Sequence, residues 1–227
     1  MMKTLLPKIA LSIIMTVLIS GLGSEVVAQD FEGVIYYEIP EMTRQGMGEM
    51  PYMVKDSKVR MEFGKGAQGG VMIFMPDQNK MTFILEAMKG YMTMDMDDPD
   101  SPDNSDENTN MVKKETTKTI AGRSCEVWEV TDTQNTYQLC VAKGMGNFMM
   151  PQNPMAQTNT PKWAKEAMSG GFMPLEVIEI SGGGEELKMR ATKIEEKSLS
   201  ASLFEVPEGY NDMSSMMKQM MNQNKNR

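Results

Sequence analysis

From residue 31 onward the chain reads as short runs of alternating apolar and polar residues, broken by turn-forming residues. "FEGVIYYEI" is rich in β-branched and aromatic residues and predicts the first strand. "MPYMVKDSKVRMEF" predicts two strands around the turn "KDSK". "VMIFMPDQNKMTFIL" repeats that design around "PDQN". In "GYMTMDM" the period-two alternation sets Met92, Met94 and Met96 on one face, and Tyr91, Thr93 and Asp95 on the other. "TKTIAGRSCEVWEVTDTQNTYQLCVAK" predicts a hairpin, and "MPLEVIEISGGGEELKMRATKIEEK" a longer one around three glycines. In the latter Leu187, Met189 and Ala191 alternate with Lys188, Arg190 and Thr192, as in a half-buried strand. Together these runs predict about nine or ten mostly antiparallel strands. The fold class is mainly β (α+β), a curved antiparallel sheet or incomplete barrel covered by one or two helices.

Helical spacing occurs in two places. "KWAKEAM" has Pro161 near its start and Gly170–Gly171 at its end. In the tail, Met213, Met216, Met217, Met220 and Met221 fall at i, i+3, i+4, i+7 and i+8, one face of a helix. Two other stretches predict no regular structure. "GKGAQGG" lacks the GK[ST] ending of a phosphate loop and reads as a hairpin loop. The acidic run at about 97–110 has nothing to bury, and without a glycine it departs from the calcium-loop pattern.

The first 28 residues have the pattern of an export signal: Lys3 and Lys8, then the apolar "IALSIIMTVLIS", then Val26 and Ala28 at the cleavage positions. The expected organisation is a signal peptide over 1–28, one β-rich domain over 29–211 and a methionine-rich tail over 212–227. The mature protein is expected in the periplasm or outside the cell, with no transmembrane anchor. In that compartment the only two cysteines, Cys125 and Cys140, predict a disulfide. A tight turn at Asp132–Thr133 would set them directly opposite; a longer loop would shift the register.

Charge and composition narrow the function. A net charge of −8 without Lys or Arg clusters excludes nucleic acid as the natural partner. With no histidine, Ser-His-Asp and Cys-His catalysis and His-bound zinc drop out. No enzyme activity is expected. Methionine is the anomaly, at 28 residues. Thioethers are soft ligands suited to Cu(I) or Ag(I). Met47, Met50 and Met53, spaced by three, and Met92, Met94 and Met96 are the candidate Cu(I) ligands. The favoured reading is an adaptable apolar surface, since methionine is unbranched and re-packs around varied shapes. On that reading no cofactor is expected. Trp163 and the tail methionines are then candidates for a cavity wall or lid, and Trp128 for a core or sheet-face aromatic.

The order of these motifs resembles a known family. "FEGVIYYEI", "YMVKDSKVRMEF", "IFMPDQNKMTFIL", "KGYMTM", "KTIAGRSCEVWEV", "GGFMPLEVIEI" and "ATKIEEKSLSASLFEVPEGYNDM" follow the pattern of the bacterial domain-of-unknown-function family numbered 4412, from about Phe31 to Met213. "SLFEVPEGY" is the most telling of them. The resemblance implies a fold like that of the LolA and LolB lipoprotein carriers, an unclosed curved sheet whose concave side takes acyl chains. It supplies no catalytic residue. The expected function is therefore a non-enzymatic exported binding protein for a lipophilic ligand or an apolar partner segment. The alternatives are a thioether Cu(I)/Ag(I) binder and an envelope protein that docks through its tail.

Overall fold

A computed structural model describes residues 31–64, 69–96, 110–131, 135–146, 148, 149, 171–216 and 219. The expected signal peptide, the "KWAKEAM" helix with Trp163, the acidic run at 97–109, and Met217, Met220 and Met221 lie outside these residues.

Tight turns join the strands where the sequence places them. Asp56 and Ser57 have φ of 47° and 64°, the left-handed pair of a two-residue hairpin turn. They connect β2 (Met50–Lys55) to β3 (Lys58–Phe63). Single left-handed residues, Asn79 and Lys89, end the 3-10 turns before β5 (Lys80–Leu85) and β6 (Gly90–Asp95). Ala121 and Gly122 form a second left-handed pair, between β7 (Asn110–Ile120) and β8 (Arg123–Thr131). The remaining long strands are β1 (Gly33–Glu38), β4 (Gly70–Met75), β9 (Thr136–Lys143), β10 (Phe172–Ser181) and β11 (Gly184–Glu196). A two-residue strand, β12 (Asn211–Asp212), completes the set.

Among the described residues all twelve strands belong to one sheet, ordered β12-β6-β5-β4-β3-β2-β1-β11-β10-β9-β8-β7. Every pairing is antiparallel except the short β12–β6 contact. The protein is therefore mainly β, with a curved, unclosed sheet. The sequence did not signal β7 at its full length. Its residues, "NMVKKETTKTI", are polar because β7 is an edge strand, and lysines blunt such an edge. The short helix α1 (Pro40–Arg44) was also not expected; Pro40 starts it, and Arg44 pairs with Glu41 at 2.7 Å.

Ion pairs record how far the sheet curls. Lys118 on β7 donates to Gln138 on β9 and to Glu176 on β10, each at 2.9 Å. Three strand spacings on a flat sheet are about 14 Å, too far for such a contact. The sheet therefore bends until β7 approaches β11, where Arg123 also pairs with Glu196. Inside the curl Glu176 is almost fully buried, and Arg190 Nη2 holds its second oxygen at 2.6 Å. Burial pushes the Glu176 carboxyl up, but hydrogen bonds and charge from Lys118 and Arg190 outweigh it and leave it below the ordinary value.

Cys125 and Cys140 form a disulfide with Cα atoms 5.3 Å apart. Its register differs from the tight-turn alternative, because Cys140 faces Val127. The β8–β9 connection is longer than two residues, so the bridge runs diagonally between neighbouring strands. Closing a loop of this size stabilises by roughly 3 kcal/mol.

A second layer covers the other side of the β3–β6 half. The chain leaving β11 carries Leu199 and Phe204 onto Val34, Val71, Ile73 and Ile84. Arg60 fastens this layer: Nη1 donates to the Leu203 carbonyl and Nε to Glu62 Oε1, both at 2.8 Å. The stretch "SLFEVPEGY" is thus a 3-10 turn and strap laid across the sheet.

Candidate functional site: a methionine-lined sheet face

Register converts the scattered methionines into one surface. Ile35, Tyr52, Met61, Met72, Phe83 and Met92 lie directly opposite one another, strand by strand, from β1 to β6. Beside that row run Val54, Val59, Phe74, Met81 and Met94. Met50 faces Tyr37 at one end, and Met96 follows Met94 at the other. Met61 thus meets Met72 across the strands, and Met81 meets Met94. Seven methionines from four neighbouring elements and the end of β2 share this apolar face: Met50, Met61, Met72, Met81, Met92, Met94 and Met96.

Met92, Met94 and Met96 lie on one face, as the alternation predicts, with Thr93 turned away to Thr82 at 3.0 Å. The spacing of Met47, Met50 and Met53 does not gather them. Within β2, Met50 turns to the methionine face at 1% exposure, while Met53 turns to the opposite layer beside Val34. Strand alternation overrides the spacing of three, so these three do not form one ligand set. Met61, Met72 and Met81 sit in strand runs that also use valine, isoleucine and phenylalanine, so the sequence alone does not set them apart from ordinary core. Only the pairing register shows that they continue the Met92–Met94 surface.

A plug covers the β1–β2 end of the face. The chain after β9 brings Met145, Phe148 and Met149 into the core. Phe148 stacks on Tyr52 with ring centres 6.0 Å apart, and the Met149 N–H donates to the Tyr52 hydroxyl at 2.7 Å. Tyr37 in turn packs edge-on against Tyr52 and donates to the Pro174 carbonyl at 2.8 Å. Burial raises both phenols above their ordinary value, so both stay neutral hydrogen-bonding groups.

The first residues of the expected tail are bonded to the sheet edge. Asn211 N–H donates to the Lys89 carbonyl and Met213 N–H to the Tyr91 carbonyl, both at 2.8 Å, so residues 211–213 extend the β6 edge. Met213 lies over Gly90, where any side chain would strike its sulfur. Asp212 accepts the Ser214 N–H at 2.8 Å, just ahead of the helical residues 214–216. Within the expected stripe, Met213 is half-buried against the methionine face and Met216 is 54% exposed. These two do not share one environment.

The fold and this face define a protein built on one curved, unclosed sheet with a thioether-rich inner surface, an architecture compatible with a binding protein. The chain belongs to the domain of unknown function family DUF4412, whose model matches residues 31–210. Among solved structures it is similar to an uncharacterized conserved protein from Thermus thermophilus, at 9% identity and a TM-score of 0.46, covering 82% of this chain and 91% of that one. It is also similar to PNGF-II, at 10% identity and a TM-score of 0.46, covering 84% of this chain but 32% of that one. Similarity to MucB is at 11% identity and a TM-score of 0.38, covering 79% of this chain and 58% of that one. No curated protein matches the chain in sequence.

Proposed function

We propose that this protein is a non-enzymatic binding protein that holds an acyl chain, or another unbranched apolar segment, against the methionine-lined face. The observation that carries this reading is the gathering of seven methionines on one side of the sheet, at positions where leucine or isoleucine fills an ordinary core. Methionine brings three rotatable bonds and a polarisable sulfur, so a face built from it changes shape at low cost. Burial of the ligand supplies the driving force, about 0.8 kcal/mol for each methylene removed from water. The face is shielded by the chain's own atoms, so entry requires side chains to move apart, and thioethers do this more readily than branched side chains.

In this reading the protein works outside the cytoplasm, where its signal sequence sends it and its disulfide persists. The test is native mass spectrometry of protein purified from its own cell envelope. Acyl-chain adducts that disappear on organic extraction and return on incubation with a fatty acid are expected. A protein that is empty as isolated and stays empty after that incubation would refute the proposal.

A further inference from the structure

Residues 90, 92 and 94 of β6 alternate onto the methionine face, and position 90 brings no side chain there. Met213 fills the gap from the neighbouring segment. A Cβ placed at residue 90 would run into the Met213 sulfur and lie 3.3 Å from its Cγ. Leu85 faces Gly90 across the strands, so the thioether enters the end of the face that carries Leu85 and Met92. The backbone of Gly90 does not require glycine, because it is a strand residue without a left-handed φ. Glycine weakens a strand and often marks a close approach of other atoms. Here the approaching atom is the Met213 sulfur, and Gly90 is its seat.

The segment that carries Met213 is thinly held. Asn211 N–H and Met213 N–H donate to the carbonyls of Lys89 and Tyr91. The Ser214 hydroxyl accepts the Thr93 N–H at 3.0 Å and donates to Asp212. Asn211, Asp212, Ser215 and Met216 are exposed, which leaves Met213 as the apolar anchor of residues 211–216. A segment with few buried apolar contacts and solvent-facing hydrogen bonds opens locally without unfolding the rest. Water then satisfies the backbone groups left on the β6 edge. The other end of the face is closed differently. Phe148 is fully buried there and Met149 N–H is held by the buried Tyr52, so that plug belongs to the core.

We propose that Met213 gates the methionine face. The segment 211–214 swings off the β6 edge, draws the Met213 thioether from its seat on Gly90, and admits an acyl chain beside Leu85 and Met92. This inference rests on the binding function proposed above and adds the point of entry and the residue that controls it. An unbranched thioether suits the task, since it leaves a narrow seat by rotation about its own bonds.

Two readouts on the full mature protein test the gate: amide hydrogen exchange at Asn211 and Met213, and stopped-flow uptake of a dansyl-labelled fatty acid. The variants are Gly90→Ala, Met213→Ala and the two combined. Gly90→Ala should speed exchange at both amides about tenfold, the scale of one net hydrogen bond. Both single variants should speed uptake by a similar factor. In the Met213→Ala background, Gly90→Ala should leave exchange unchanged or slow it, because the clash is gone and alanine suits a strand better than glycine. Circular dichroism checks that each variant is folded, and Met213→Ala carries the uptake measurement if Gly90→Ala does not fold. Native uptake at a rate that neither single variant changes, or an equal effect of Gly90→Ala in both backgrounds, would overturn the gate alone. No uptake by any form would refute the methionine-face reading and the gate with it.

Discussion

Replacing Lys118 and Arg190 together by methionine is expected to destabilise the protein by about 3–5 kcal/mol at neutral pH, the cost of leaving a buried charge unpaired. Glu176 is 2% exposed, while its partners are partly solvated, so the penalty falls on the carboxylate that stays behind. Glu176→Gln should cost less, because it removes the buried charge itself. The pH dependence is the sharper signature. In the native protein the Glu176 carboxyl is held below its ordinary value, so its stabilising contribution is present above the unfolded carboxylate range and is lost as pH falls through the folded value. In the double variant only burial remains, and burial raises the carboxyl. The variant's deficit should therefore shrink as pH falls from neutrality through the raised value, where Glu176 takes up its proton. Urea unfolding at pH 7 and in mild acid measures this, and an equal deficit at both would contradict it.

Phe148→Ala is expected to destabilise by a similar amount, about 3–5 kcal/mol for a fully buried aromatic ring. Phe148 is completely buried and stacks on Tyr52, and its neighbour Met149 supplies the Tyr52 hydroxyl with its donor. Loss of the ring leaves a cavity at the β1–β2 end of the methionine face. Phe148→Leu should recover part of the loss by filling some of that volume. If the plug shares its space with a ligand, Phe148→Ala should also take up more fatty acid than the native protein at equal protein concentration. Unfolding midpoints and a fatty-acid uptake assay read the two effects. A variant with native stability would show that the plug is not part of the core.

Strand positions were legible in the sequence because turn chemistry and period-two alternation are local. "KDSK" and "PDQN" mark their turns, and "GYMTMDM" declares its two faces. Register is not local. Nothing in the sequence aligns Met61 with Met72 or Met81 with Met94, since each pairing depends on how neighbouring strands slide past one another. The same limit explains the cysteines: their bridge follows from their number, and its diagonal course from a loop length that the turn residues left open. The Met47–Met50–Met53 spacing suggested a Cu(I) ligand set, and strand alternation sends Met50 and Met53 to opposite faces. The tail carries the same lesson. Helical periodicity describes residues 214–216, but Met213 is fixed by backbone hydrogen bonds to the β6 edge, which a stripe pattern cannot reveal.

In the proposed function the methionine face itself receives the ligand. Methionine methyl groups labelled with carbon-13 report on it directly in a nuclear magnetic resonance titration with lauric acid. Met72, Met81 and Met92 are buried on the face, while Met88 and Met216 are exposed and serve as internal controls. Saturable shifts at Met72, Met81 and Met92 that exceed those at Met88 and Met216 are expected. Shifts confined to Met88 and Met216, or no saturable change at any of the five, would contradict it.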